Sequence, residues 1–231
     1  MYVKNYIVVA GLIGAGKSSL AKRLGEALGW EVAYEAVAGN PYLADFYKDM
    51  KKYGAIMQMW LLNHRFRQHK ELITRIANGS IPGAIGDRGI TEDCIFARML
   101  HEAGHITDRD LNTYLDMFDA LALRDLAYPE IMIYLDCSAE TALKRIQSRG
   151  RESEKNIPLS YLQDLRAHYL DFLSEYKKTG VNILSIPYET FPSVEYIVDL
   201  IKRNQISECK YTKWIRPPRV LENKKEVKEV K

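Results

Sequence analysis

Cysteine is scarce in this 231-residue chain: Cys94, Cys137 and Cys209 are far apart and lack any metal-ligand spacing. That excludes a disulfide framework and a cysteine-based zinc site, and points to reduced thiols in a cytoplasmic setting. Long apolar runs are missing too. None approaches the ~18 residues of a membrane-spanning helix, so no membrane partner is expected. The opening Met-Tyr-Val-Lys-Asn runs directly into an apolar strand pattern and does not read as a signal peptide. Nor is there a large charge surplus of one sign, with 33 Lys/Arg against 30 Asp/Glu. Nucleic acid is therefore not an expected partner. The small excess sits at the end, where residues 202–231 carry ten Lys/Arg and four Asp/Glu. The chain is expected to form one domain over 1–205, followed by a basic, partly disordered tail over 206–231.

What is present begins at Gly11-Leu12-Ile13-Gly14-Ala15-Gly16-Lys17-Ser18, between the apolar run Tyr6–Ala10 and a helical pattern opening at Lys17. Gly, four residues, then Gly-Lys-Ser between a strand and a helix is the phosphate-binding loop. Its glycines let successive N–H groups surround a phosphate at a helix N-terminus. Gly11, Gly14, Ala15, Gly16, Lys17, Ser18 and Ser19 are the expected triphosphate-binding residues. Lys17 supplies mobile positive charge, and the Ser18 hydroxyl is placed for Mg²⁺.

The rest of the chain alternates strand and helix patterns. A helix from about Lys17 to Leu28 ends at Gly29, and Glu31–Glu35 reads as a short strand ending in a carboxylate. A short helix follows over Tyr42–Tyr47, then a long one from about Lys51 to Ala77, stopped by Asn78-Gly79-Ser80. Gly83–Gly86 is a small strand ending at Asp87-Arg88. Helices over Glu92–Glu102 and Asp108–Leu126 precede the apolar strand Ile131–Leu135, which suits a parallel sheet covered on both faces. A helix from Ala139 to about Ser148 leads into an arginine-rich stretch. Pro158 opens another helix, ending near Lys178, and Val181–Ile186 and Ser193–Arg203 supply a last strand and helix. This order predicts an α/β fold: a doubly wound, five-stranded parallel sheet flanked by helices, with ligands at the strand carboxyl ends.

Three predicted strand ends then carry chemistry: the loop, Glu35, and Asp87-Arg88. Adjacent residues leaving a strand point to opposite sides, so one of Asp87 and Arg88 can face metal and phosphates while the other faces the phosphate acceptor. Glu35 is the candidate base for an attacking hydroxyl, Asp87 the second metal-facing residue beside Ser18, and Arg88 the cation for developing charge. A surface ion pair is the bland alternative for such groups, weakened by the phosphate loop alongside. Arg145, Arg149 and Arg151 straddle the helix break at Gly150, which suits closure over triphosphate oxygens. Gln58 and Arg65 are seven apart on the long helix, hence on one face about 10 Å apart, enough to flank a planar base.

Taken together, these residues resemble the deoxyribonucleoside kinases, most nearly those of bacteria that act on purine deoxynucleosides. The likeness runs from Tyr6 to about Tyr169 through Asn40-Pro41-Tyr42-Leu43, Gln58–Phe66, Asp87–Asp93, Arg145–Arg151 and Ile157–Leu162. It implies transfer of phosphate from ATP, with Mg²⁺, to the 5′-hydroxyl of a deoxyribonucleoside. Glu35 matches the family's base with Arg88 beside it, and Asp87 the acidic residue that reaches Mg²⁺. Gln58, Arg65 and Asp93 match the base-reading trio, Tyr47 and Glu154 the pair on the sugar 3′-hydroxyl, and Arg145, Arg149 and Arg151 the lid. It further implies a homodimer built from helices outside the sheet, around Glu92–Glu102 and its neighbour. The charged trio favours deoxyadenosine, deoxyguanosine or deoxycytidine, in that order, over thymidine. Two departures stand out: Ala36 where the family has Pro, and Gly89 where it has Ser. A nucleoside monophosphate kinase of the thymidylate kinase type is the alternative enzyme. A non-catalytic structural relative is the alternative without chemistry, and the presence of Lys17, Glu35 and Arg88 argues against it.

Overall fold

The computed structural model describes residues 2–35, 39–125 and 127–204. The expected tail and Ala36 lie outside the described residues. The elements run β1 (Tyr2–Gly11), α1 (Lys17–Leu28), β2 (Glu31–Ala33), α2 (Leu43–Lys48), α3 (Met50–Ala77), β3 (Ala84–Asp87), α4 (Asp93–Glu102), α5 (Asp108–Asp125), β4 (Tyr128–Asp136), α6 (Ala139–Arg149), α7 (Leu159–Lys177), β5 (Ile183–Pro187) and α8 (Val194–Arg203). Single 3₁₀ turns at Ile90–Glu92 and Glu152–Glu154 lead into α4 and follow α6. The five strands are all parallel, in the order β2-β3-β1-β4-β5. Among the described residues, no helix is long and apolar enough to cross a membrane.

The central strands explain the order. Ile7, Val8, Val9 and Ala10 of β1 and Ile131, Met132, Ile133 and Leu135 of β4 are all buried. Helices cover both faces of such strands, so their side chains are apolar in succession rather than in alternation. α1 lays Leu20, Ala21 and Leu24 against the sheet, and α6 adds Ala142 and Ile146. Gly29 and Gly150 end these two helices in the left-handed conformation. β4 begins earlier than its apolar run suggests. It opens at Tyr128, which pairs with Tyr2 of β1, and its buried Glu130 carboxylate accepts the Asn5 N–H at 2.8 Å. Asn5 has φ 63°, and the β1–β4 register shifts between Val3 and Ile7. A charged residue inside a strand thus has its buried oxygen satisfied by an irregularity in the neighbouring strand.

Register decides where chemistry collects. β1 and β3 pair with Val9 opposite Asp87, and β2 and β3 with Ala33 opposite Gly86. The phosphate loop, Asp87-Arg88 and Tyr34-Glu35 therefore leave the sheet side by side at its carboxyl edge. β2 ends at Ala33, two residues before Glu35, so Glu35 sits on the exit segment and not on the strand itself.

In the second half of α3, His69 is buried on the same face as Gln58 and Arg65. Its Nε2 accepts the Ala127 N–H at 3.1 Å, and its Nδ1 lies 3.3 Å from the Tyr6 hydroxyl. Burial pushes the imidazole down from its usual 6.5 to about 4. A folded-state pKa below the unfolded one means that the unfolded chain binds the extra proton first. Stability contributed by neutral His69 is present above pH 6.5 and is lost as the pH falls toward 4. Urea unfolding at pH 7 and pH 4.5 should show roughly 2–3 kcal/mol less of this decline in His69→Gln than in the wild type. Equal declines in the two proteins would refute the assignment.

Candidate active site

The site is a cavity of about 510 Å³ at the carboxyl edge of the sheet, between the phosphate loop, α2, the first half of α3 and the segment after α6. That volume suits a small-molecule ligand. One end of it is the glycine-rich loop. Gly14 has φ +81°, and a Cβ there would lie 2.4 Å from the Ala142 carbonyl oxygen and 2.8 Å from Ile146, so only glycine lets the loop lie against α6. Lys17 is buried, and its ammonium donates to the Gly11 and Leu12 carbonyls at 3.1 and 2.8 Å. Burial pushes its pKa down to about 8, with Arg88 acting in the same direction and Asp87, Glu35 and Glu92 opposing. Ser18 and Ser19 line the same wall.

Asp87 is buried, and its Oδ1 has no hydrogen-bond partner. Such an oxygen in a phosphate-facing cavity calls for a cation or a donor. A carboxylate and a serine hydroxyl are the hard donors Mg²⁺ takes, alongside phosphate oxygens and water. Asp87 and Ser18 fit that ion. Among the described residues no group of three or more His, Cys, Asp or Glu is placed to hold a metal, so phosphate and water would supply the remaining ligands.

The other end holds a chain of opposite charges. Glu35 pairs with Arg65, and its other oxygen lies 3.4 Å from Arg88 Nε. Burial alone would raise the Glu35 carboxyl, but Arg88, Arg65 and Lys17 outweigh it and hold the pKa at about 2. Arg65 pairs at its far side with Asp93, which is fully buried. Asp93 does not itself line the cavity; in this structure it meets the site through Arg65.

Gln58 is on the buried face of α3, two turns from its start and 1 % exposed, and neither its amide oxygen nor its nitrogen has a partner. It lines the cavity two turns from Arg65, as the seven-residue spacing requires. Burial and the neighbouring Tyr161 and Glu154 keep the Tyr47 phenol well above its usual pKa, so it is a proton donor. Glu154 is buried on the lid segment and pairs with both Arg149 and Arg151.

Arg145 is the lid residue that stands apart. Its guanidinium donates to the Ala15 and Tyr188 carbonyls at 2.9 and 2.8 Å and lies 4.3 Å from the Phe191 ring centre. It braces the loop against the β5–α8 connection, while Arg149 and Arg151 line the cavity.

Sequence reasoning missed Glu92, Tyr169, Phe96 and Tyr161. Tyr161 and Phe96 line the cavity, and the Arg88 guanidinium lies 4.7 Å over the Phe96 ring. Glu92 is buried beneath Arg88, and its spacing of three from Gly89 ahead of an apolar helix was a legible capping signal. Tyr169, 77 positions from its partner Glu92, carried none. Gly89 now has a reason: its backbone is extended, and a Cβ there would meet Val8 of β1 at 3.0 Å. The unusual backbone belongs to Arg88 instead, at φ 80°.

Comparison with known proteins bears on this geometry. The model of the deoxynucleoside kinase family matches residues 7–206. The chain is 39% identical over 213 residues to a deoxyadenosine kinase of Dictyostelium discoideum, covering 92% of this chain and 84% of the relative. It is 36% identical over 205 residues to a deoxyadenosine/deoxycytidine kinase of Bacillus subtilis, covering 86% and 92%. Among solved structures, a deoxyadenosine kinase from M. mycoides with bound dCTP superposes with a TM-score of 0.75 at 30% identity, covering 87% of this chain and 100% of that one. These matches displace the monophosphate-kinase and non-catalytic alternatives. Family model, relatives and solved structures agree, and the chain belongs to the deoxynucleoside kinase family.

Proposed function

We propose that this enzyme transfers the γ-phosphoryl group of ATP to the 5′-hydroxyl of a purine deoxynucleoside, with deoxycytidine a further acceptor and thymidine the poorest. The observation that carries the reading is the acceptor end of the cavity. A buried, unpartnered Gln58 amide and the Arg65–Asp93 pair meet a neutral, planar, two-faced ligand, while the Glu35 and Glu154 carboxylates disfavour a second phosphate there. The relatives' names, deoxyadenosine and deoxyguanosine kinases among them, support the purine preference.

In this reading Gly11, Gly14, Ala15, Gly16, Ser18 and Ser19 cradle the triphosphate and Lys17 reaches its β/γ-oxygens. Arg149 and Arg151 close from the lid, with Arg145 holding the loop in shape. Ser18 and Asp87 would hold Mg²⁺, which when bound supplies neutralising charge on the phosphates. Tyr47 and Glu154 take the sugar 3′-hydroxyl, and Gln58 and Arg65 read the base edge. Glu35, charged throughout the physiological range, accepts a hydrogen bond from the 5′-hydroxyl and fixes its oxygen toward the γ-phosphorus. As the bond from the 5′-oxygen to phosphorus forms and the bond to the β-phosphate oxygen breaks, the hydroxyl proton passes to Glu35. Arg88 stabilises the charge on the transferring group. A base with a pKa near 2 suits a loose transition state, in which the hydroxyl becomes acidic only once the new bond is forming. A homodimer through the neighbourhood of α4 and α5 belongs to the same reading.

Assayed with ATP and Mg²⁺ against the four deoxynucleosides, the wild type should turn over deoxyadenosine or deoxyguanosine fastest and thymidine slowest. Glu35→Gln should lower kcat by about 10²–10⁴-fold with every acceptor; retained activity in that variant would remove Glu35 from the mechanism. Replacing Arg65 and Asp93 together by small apolar residues removes the charged reader without leaving either charge buried alone. Thymidine turnover should then rise relative to deoxyadenosine, and an unchanged ratio would sink the proposed base-reading role.

A further inference from the structure

Arg88 is held in place by two groups that do not line the cavity, Glu92 and Tyr169. Arg88 has φ 80°, a conformation that a non-glycine residue keeps only where its surroundings over-determine it. The backbone N–H of Arg88 donates to the Val9 carbonyl at 3.0 Å, which ties the residue to β1. The next amide, Gly89 N–H, donates to Glu92 Oε2 at 2.6 Å. The other Glu92 oxygen, Oε1, accepts the Tyr169 hydroxyl at 2.7 Å and lies 3.7 Å from Arg88 Nη1. Arg88 Nη1 in turn donates to that same Tyr169 oxygen. Glu92 thus grips the chain on one side of Arg88 and, through Tyr169, the end of its guanidinium on the other.

Burial makes this grip specific. Glu92 is fully buried, as is Tyr169. Burial raises the Glu92 pKa, while Arg88, the Gly89 N–H and Tyr169 pull it back. For Arg88 burial works against the charge, and Tyr169, Glu35, Glu92 and Asp87 together more than offset it, leaving the pKa above that of a free guanidinium. A buried carboxylate is costly unless paired and hydrogen-bonded. This one spends its two oxygens on the backbone and side chain around a single arginine.

We propose that Glu92, acting through Tyr169 and the Gly89 amide, is a positioning residue for phosphoryl transfer. It sets the conformation of Arg88 so that the Nε edge faces Glu35 while the Nη1 end is anchored away from the reacting groups. Glu35 is then left to accept the 5′-hydroxyl instead of serving as the sole counter-ion of Arg88. This rests on the role given to Arg88 above.

The test is steady-state kinetics of Glu92→Gln and Tyr169→Phe, alone and in an Arg88→Ala background. Each single variant should lose about 10- to 100-fold in kcat, with KM for deoxynucleoside and for ATP changed less than about threefold. In the Arg88→Ala background the same changes should cost less than about twofold, because the residue they act through is gone. Tyr169→Phe removes one hydroxyl and serves if Glu92→Gln fails to fold. Normal kcat in both single variants, or an undiminished loss in the Arg88→Ala background, would overturn the proposal. If Arg88→Ala itself keeps wild-type kcat, the role given to Arg88 fails first.

Discussion

Charge buried at the carboxyl edge of a parallel sheet is the constraint on which this protein depends. Lys17, Arg65 and Arg88 sit among Glu35, Asp87, Glu92 and Asp93, all at most partly exposed. None of these ions could be taken out of water alone, and removing one leaves its partner uncompensated. The pairings are therefore mutual. Arg65 joins Glu35 to Asp93, and Arg88 joins Glu35 to Glu92. Glu35 lies at the junction, which is why its carboxyl is held near 2 although it is largely enclosed.

That arrangement is possible because of sheet register. Val9 opposite Asp87 and Ala33 opposite Gly86 bring three chain segments to one edge. α3 then contributes from above, and its buried face mixes Met57 and Leu62 with Gln58 and Arg65. A helix burying a glutamine amide with both polar atoms unpartnered bears a cost that a ligand would relieve. The same face continues to His69, which is satisfied by Tyr6 and Ala127 and is structural. One helix thus lines the cavity with its first half and packs into the core with its second.

The lid and loop show a division of labour among arginines of like spacing. Arg149 and Arg151 reach Glu154 and the cavity, but Arg145, one turn earlier, is spent on carbonyls of the loop and of the β5–α8 connection. A guanidinium offers five donors in a planar fork, so it can brace backbone as readily as it can bind phosphate. Which it does depends on what the neighbouring strand end places in reach.

Much was legible from residues alone, because local spacing carries it. The phosphate loop is a contiguous motif whose glycines are required by its own backbone. The apolar runs of β1 and β4 and the periodicity of α1 and α3 announce a covered parallel sheet. Glu35, Asp87 and Arg88 could be chosen because strand ends are where such sheets bind ligands. What only the tertiary structure decided are the contacts between distant segments. Asp93 meets the site through Arg65, Arg145 turns to the loop, and Val8 on the neighbouring strand crowds any side chain at position 89. Tyr169 reaches Glu92 and Arg88 across the sheet's edge from a helix far along the chain. No periodicity encodes these pairings, since they follow from strand register and from the need of each buried charge for a partner.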